Sequence, residues 1–428
     1  MSWRPRLPHL LRDRVFRRFW LGQTVSLMGD QITVFAIPLA AVIILRASPA
    51  EMGYLTAAGI VPSLFFSLYA GAWSDRYGHR RRTMLVADIA RALALLTIPV
   101  AYAFSRLGLA QLYAVTFVVG VFDVLFFVSY STLFVSIVKP DDYLQGHSLL
   151  NGSRAMSSVV GQSFAGVLVA LFTAPFALVA DALSFVYSAL CLRSIDPTEP
   201  PTSEAGRDQL MTGVRFIARS AIVRSALGAT ATVNYFNYVF FTLFTLYAVR
   251  DLGVRPLTLG FVLSAGAVGA LIGSAVTGPL GRRLGVGRAF ALSCVLFPAP
   301  LLLVPAASGH GLMRLALLFL AEFGSGLGVM ILDISAGTIF ATVIPHTIRA
   351  SVSGAYRTVN NGVRPLGALT GGALGTLIGV RSTLWLAAAG GLLCVLWVVS
   401  SPLLRDKDCL VQETLPAPAS EALTESAP

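Results

Sequence analysis

Ten ionisable side chains lie inside otherwise apolar stretches of this chain: Asp30, Asp88, Arg91, Asp123, Arg154, Asp181, Glu322, Asp333, Arg357 and Arg364. A charge at the centre of a membrane-spanning helix costs at least ~2.5 to 3.5 kcal/mol, so each needs a partner, a water-filled cavity or a function. The chemistry open to such a carboxylate is to take up a proton when buried and release it where water or a cation reaches it. A residue about ten positions from either end of its span sits ~15 Å deep. Asp30, Asp123 and Arg364 meet that depth, with Glu322 and Asp333 somewhat nearer the two surfaces. Asp30, Asp123, Glu322 and Asp333 are therefore the proton-coupling candidates, the first two best placed. The competing reading of Asp123 is a permanent ion pair with Arg154 or Arg364. Asp88 and Arg91, three apart near a span end, read as an interfacial pair. Asp181 reads as structural, and Arg154 and Arg357 as braces of an inner gate.

The elements that must position these groups are set by composition. For 428 residues, 55% hydrophobic and 12% charged residues with a mean hydropathy of +0.74 exclude an ordinary soluble chain. Apolar runs of about 20 residues or more recur along the sequence. Twelve spans are predicted: 19 to 45, 52 to 73, 83 to 104, 110 to 138, 146 to 172, 174 to 194, 222 to 248, 257 to 280, 289 to 307, 312 to 343, 350 to 379 and 381 to 403. The net charge of +11 would suit a nucleic-acid partner only if it were concentrated on one soluble surface. Instead the basic residues cluster in alternate loops, at Arg4 to Arg18, at Arg76 with Arg80 to Arg82, at Arg193 to Arg224 and at Arg282 to Arg288. The other face has only Arg46, Arg106, Arg250, Arg255, Arg314 and Arg381. This positive-inside pattern, with an even span count, places both termini in the cytoplasm of a multi-pass cell-membrane protein. A removable signal peptide is not expected, because the first apolar run is long and lacks a small-residue cleavage site. Cys191, Cys294, Cys394 and Cys409 have no paired spacing, and the five histidines are ungrouped, so neither a metal nor any other cofactor is expected.

The sequence repeats itself. Gly71, Arg76, Gly78 and Arg81, between spans two and three, fall at one constant offset on Gly278, Arg283, Gly285 and Arg288, between spans eight and nine. The fold expected is all-α, with two pseudo-symmetric six-helix bundles at 19 to 194 and 222 to 403. A basic N-terminus (1 to 18), a linker (195 to 221) and a disordered cytoplasmic tail (404 to 428) flank them. Val214, Phe216 and Ile217 interleaved with Arg215 and Arg219 mark an amphipathic linker helix on the inner leaflet. Small-residue ladders, Gly371, Gly375 and Gly379 in span eleven and Gly269 and Gly273 in span eight, would let helices approach closely.

The loop Gly71-x-x-x-Asp75-Arg76-x-Gly78-x-Arg80-Arg81 resembles the signature loop of the major facilitator superfamily. Ser26-Leu-Met-Gly29-Asp30, Val86-Ala-Asp88-Ile-Ala-Arg91-Ala, Ala180-Asp181-Ala-Leu-Ser184-Phe185 and Arg364-Pro365-Leu-Gly367 are similar to its exporter branch, which includes the enterobactin and macrolide efflux proteins. The resemblance spans residues 15 to 405 and implies proton-driven export of small organic molecules by alternating access around a central site. Gly161-Gln162 departs from the Gly-Pro common in antiporters, and Asp333 stands where the resembling sequences often have Asn.

Two charge latches of opposite polarity are expected on the cytoplasmic side. Asp75 would meet the start of span eleven at Arg349, and Arg282 would meet Asp141 and Asp142 at the start of span five. Span seven contributes an aromatic face with amide donors, so Asn234, Asn237 and Tyr238, with Asn360 and Asn361 of span eleven, are the expected substrate cavity. The implied partners are a small hydrophobic or amphipathic molecule, protons and lipid, with a single chain sufficient. Uptake by proton symport, or a receptor or scaffold that transports nothing, are the competing readings. No phosphate-cradling lysine loop or catalytic cluster suggests an enzyme.

Overall fold

A computed structural model describes residues 9–77, 79–196, 209–308, 311–345 and 347–404; the side chains of 67–77, 209–212 and 350 lie outside the described set. The described residues are overwhelmingly helical, with no strand among them. Among the described residues nine helices are long and apolar enough to cross a membrane: Arg14–Ile44, Arg80–Ala103, Leu109–Ile137, Pro140–Phe172, Ala174–Arg193, Pro256–Leu284, Val286–Ala306, Leu312–Val343 and Val380–Val399. Three further long helices, Pro49–Tyr77, Ala221–Leu246 and Arg349–Leu377, bring the count to twelve. The last two are less apolar because they carry the amides and arginines that face the interior. In chain order these are the first to twelfth spans.

Local chemistry sets many of the helix ends. Asp13 caps the first span by accepting from Val15 N at 2.7 Å. Ser48 and Glu51 form a capping box before the second: Glu51 Oε2 accepts from Ser48 N at 2.6 Å, and Ser48 Oγ faces Glu51 N at 3.4 Å. Pro49 and Pro256 open the second and eighth spans, where a missing N–H costs nothing. The ninth span breaks at Pro298 into a 3-10 turn, Ala299–Leu302, before resuming.

The internal repeat survives as geometry. The first span ends in a π-helical turn, Ala40–Ile44, and the seventh in another, Tyr247–Asp251. Leu45 N bonds to Ala40 O and Ala47 N to Ala41 O; Leu252 N and Val254 N repeat this on Tyr247 O and Ala248 O. Each turn is followed by a left-handed residue, Gly253 (φ 61°) in one half and Arg46 (φ 52°) in the other. Glycine accepts that conformation freely, whereas Arg46 is held there by the turn around it.

The two bundles meet tightly on the face that carries the turns at Arg46 and Gly253. There the second span packs on the eleventh, where a Cβ at Gly53 would stand 3.0 Å from Ala368 O and Gly372 Cα. The fifth packs on the eighth, where a Cβ at Gly260 would stand 2.6 Å from Gln162 O. Ser163 N donates to Ser264 Oγ at 3.0 Å, and the two hydroxyls lie 2.7 Å apart. Arg250 also crosses between the halves, donating to Val42 O at 3.2 Å. Outward-facing Phe65, Leu93, Leu171, Leu183 and Leu396 present apolar surface to lipid. The linker helix, Gln209–Arg219, docks on the eleventh span with Gly213 against Ser351 O and Ile217 buried. The absent side chain at Gly213 is what lets the two backbones touch.

Candidate functional site

Closure on one face leaves a cavity of about 750 Å³ between the bundles, on the side of the chain ends. The first half contributes Gln23, Ser26, Asp30, Ser63, Arg91, Asp123, Asn151, Arg154 and Asp181 to its wall, and the second half Gly354, Arg357, Thr358 and Asn361. Phe126, Phe127 and Tyr130 of the fourth span form the aromatic part.

Arg91 organises the charge. Its guanidinium is 3% exposed and donates to Asp88 Oδ1 through Nη2 and to Asp123 Oδ1 through Nη1 at 2.6 Å. It is stacked between Phe185 and Phe126, with ring centroids 4.1 and 4.5 Å away. Asp123 is the exposed end of this chain of charges, at 51%, and faces the cavity. Asp181 accepts hydrogen bonds from Thr33 Oγ1 and from Ser184 Oγ, the latter at 2.9 Å. Gly29 of the first span leaves the room that Asp181 and Ser184 occupy, since any Cβ there would collide with both. Asp30, one residue on, lines the cavity within the field of Asp181, Arg91, Asp123 and Asp88. Four carboxylates from four different spans thus share one guanidinium, and full ionisation leaves more negative charge than Arg91 balances.

This arrangement corrects several expectations. Asp123 pairs with Arg91 of the third span and with neither Arg154 nor Arg364. Asp88 and Arg91 do pair, but as a fully buried unit, because the sixth span covers them with Phe185. Asp181 belongs to the cavity wall and the same cluster. Arg154 and Arg357 are exposed in the cavity rather than bracing a closed gate.

The second half is organised differently. Glu322 sits beside Gly266 of the eighth span, where a Cβ would stand 3.3 Å from Glu322 Oε2, and is not part of the cavity wall. The charge acting on Asp333 is Arg364, which itself lies 5.4 Å above the Tyr238 ring. Asn234 Nδ2 donates to Asn360 Oδ1 at 3.0 Å, so these two amides join the seventh and eleventh spans and do not line the cavity. Asn237 borders a separate small space with Phe236, Pro298 and Gly391. Of the five residues expected to form the cavity, Asn361 alone lines it. Packing between the seventh and eleventh spans, at Gly367 against Tyr235 and Tyr238, holds Asn234, Tyr238 and Asn360 at that contact. The lining residues missed from sequence include Thr33, Ser63, Phe126, Phe127, Tyr130, Asn151 and Thr358. Phe126 and Tyr130, spaced i, i+4 just after Asp123, were the available signal.

The expected Arg282 latch is not engaged among the described residues, and the Asp75 latch falls on a side chain outside them. Arg349 donates to Ala341 O at 2.8 Å and Ile344 O at 3.2 Å, capping the tenth span. Asp142 lies 2.8 Å from His9 Nε2, Asp141 is exposed, and Arg282 is exposed with no ion pair. The side chains of Gly71, Asp75 and Arg76, and all of Gly78, lie outside the described residues. Arg80 is buried, and Arg81 bonds to Ile195 O and pairs with Asp196 at 3.2 Å, joining the third span to the end of the sixth.

Comparison with known proteins places this geometry in a family. The multidrug efflux pump Tap of Mycolicibacterium fortuitum is 24% identical over 89% of this chain and 94% of its own. The MFS-type transporter YfiS of Bacillus subtilis is also 24% identical, over 84% and 86%. A structure of the nucleoside transporter NupG superposes with a TM-score of 0.78 at 10% identity, covering 90% of this chain and 99% of that one. An inward-facing bacterial homologue of the iron transporter ferroportin gives 0.71 at 18% identity, covering 90% and 98%. These structural likenesses establish the fold alone. The family model described as transmembrane secretion effector matches residues 7–426. With two six-helix bundles around a charged cavity and a family match over nearly its whole length, the chain belongs to the transmembrane secretion effector family of major facilitator transporters.

Proposed function

We propose that the chain is a proton-coupled exporter of a small hydrophobic or amphipathic molecule, working as a monomer. The observation that carries this reading is the excess of carboxylates around Arg91, continuous with the cavity through Asp30 and Asp123. A cluster with surplus negative charge in a low-dielectric bundle gains by taking up a proton, and substrate or water arriving in the cavity changes that balance. Exchanging a proton for substrate at one cavity then couples the two flows. The positive-inside distribution sets the chain ends in the cytoplasm, which makes the described state open to the cytoplasm and sealed outside. The export direction is supported by the similarity to the efflux pump Tap. Glu322 and Asp333 keep a secondary place in the coupling, since neither faces the cavity cluster.

The test is flux in proteoliposomes with the pH gradient imposed in each sense. Exporters release substrate to the acidic side in exchange for protons, so export requires uptake into vesicles with an acidic lumen when the cytoplasmic face points outward. Accumulation only with the opposite gradient would establish symport instead. Gradient-driven flux that survives in the D30N/D123N double variant would end the coupling assignment.

A further inference from the structure

Arg91 and Arg364 are packed against groups of the protein, Arg91 against carboxylates and aromatic rings and Arg364, whose Nε has no hydrogen-bond partner among the described residues, over the Tyr238 ring. Arg154 and Arg357 differ. Both line the cavity, both are exposed to it, and among the described residues neither guanidinium makes a hydrogen bond or an ion pair. They come from opposite halves, Arg154 from the fifth span and Arg357 from the eleventh. Each has an amide about one turn away on the same helix and the same wall, Asn151 beside Arg154 and Asn361 beside Arg357. Two planar forks with five N–H donors each, presented to one water-filled space with no internal acceptor, suit a carboxylate or phosphate bound bidentately. Among the described residues none of the wall carboxylates, Asp30, Asp123 or Asp181, forms an ion pair with Arg154 or Arg357. Asp123 is held by Arg91, and Asp181 by Thr33 and Ser184.

We propose that Arg154 and Arg357 form a two-sided clamp for an anionic group of the transported molecule, so that the substrate is an amphipathic organic anion. Its apolar body rests on Phe126, Phe127 and Tyr130, which line the same cavity on the fourth span. The inference rests on the reading of this cavity as the transport path and adds the class of substrate. A clamp with one jaw in each half also gives the anion a mechanical effect. Two guanidinium groups repel, and an anion between them removes the obstacle to drawing the fifth and eleventh spans together as the cytoplasmic side closes. A cation entering this mouth meets two positive charges before it reaches Asp30.

The experiment compares three probes that share one aromatic body: pyrenebutyrate, the neutral pyrenebutanol and the cationic pyrenemethylamine. Binding is read by energy transfer from tryptophan to pyrene with the protein in phosphatidylcholine nanodiscs. Pyrenebutyrate is expected to bind about tenfold tighter than the alcohol, and R154Q or R357Q each to bring the ratio of the two affinities to about one. The lysine variants R154K and R357K should restore part of it, because charge returns without the fork. Equal affinity for all three probes, preference for the amine, or an anion preference that persists in the R154Q/R357Q double variant would overturn the assignment. If 20% phosphatidylglycerol in the nanodisc abolished pyrenebutyrate binding, the clamp would be a lipid headgroup site and the substrate assignment would fall. Because binding needs no gradient, a chain that binds the anion but shows no proton-driven flux would refute the coupling reading and leave the clamp intact.

Discussion

The two halves share their scaffold and differ in where they keep charge. The offset that places Ala40 on Tyr247 and Pro49 on Pro256 also places Asp30 on Asn237, Asp88 on Val295 and Arg91 on Pro298. Where the first half has an ionisable cluster, the second has an amide, a valine and a helix-breaking proline. Its interior is held instead by the Asn234–Asn360 bridge and by Arg364 over Tyr238. Duplication preserved what folding requires of both halves, namely the π turns, the left-handed residue after them and the glycine contacts. It did not preserve the ionisable residues at these three positions.

The largest test of that asymmetry removes its centre. Arg91→Gln leaves Asp88, Asp123 and Asp181 without their shared cation in the bundle interior, and should destabilise by about 3 to 5 kcal/mol, read as a lowered Tm and poor recovery in detergent. A Pro298→Ala change at the matching place in the second half should do far less. A stable Arg91→Gln protein would mean that the cluster does not hold the first bundle together. Next in size, Asp30→Asn should cut gradient-driven flux at least about tenfold while the Tm changes little, whereas Asn237→Asp should not restore it. Restoration would show that the halves are chemically interchangeable.

Outer closure provides a test on elements both halves share. Gly260→Val places a side chain against Gln162 O at the fifth and eighth spans, and overpacking of this kind costs about 1 to 3 kcal/mol. Since the clash exists only with the outer face shut, the expected result is a shift toward the outward-open state, measured by spin-label distances across that face. A protein that stays shut outside would remove the fifth–eighth contact as a determinant of closure. In the second half, Asn234→Ala and Asn360→Ala should each cost about 1 kcal/mol, and the double variant little more than either, as one shared hydrogen bond requires. Additive losses would deny the bridge.

The smallest effect lies at the outer end of the second span. Hydrogen bonds from Ser48 N–H and O–H hold the Glu51 carboxyl below its usual value. A depressed carboxyl contributes stability above its unfolded value near 4.5, and this is lost as pH falls through the lower folded value. Glu51→Gln should therefore cost about 0.5 to 1 kcal/mol at neutral pH, with a smaller difference from the parent chain in acid. An undiminished difference at low pH would exclude the ionised capping box as its source.

How much could be read from the chain follows from the range of the forces involved. The spans, the duplication and the membrane setting were legible because transfer free energy acts within one segment. The family followed from contiguous motifs such as the loop around Asp75 and the pair Gly29-Asp30. The depth of a charge along its helix was also legible, since rise per residue is fixed. Its direction around the helix axis was not. Asp123 reaches Arg91 rather than Arg154, and Asn234 reaches Asn360 rather than the cavity, because helix rotation is set by packing against neighbours far away in sequence. The close contacts at Gly29, Gly367 and Gly260 fix those rotations. The sequence alone determined that this is a two-half membrane chain with more buried charges than lipid tolerates unpaired. Only the tertiary structure decided which charges share a guanidinium, which line the cavity, and which two arginines stand free in it.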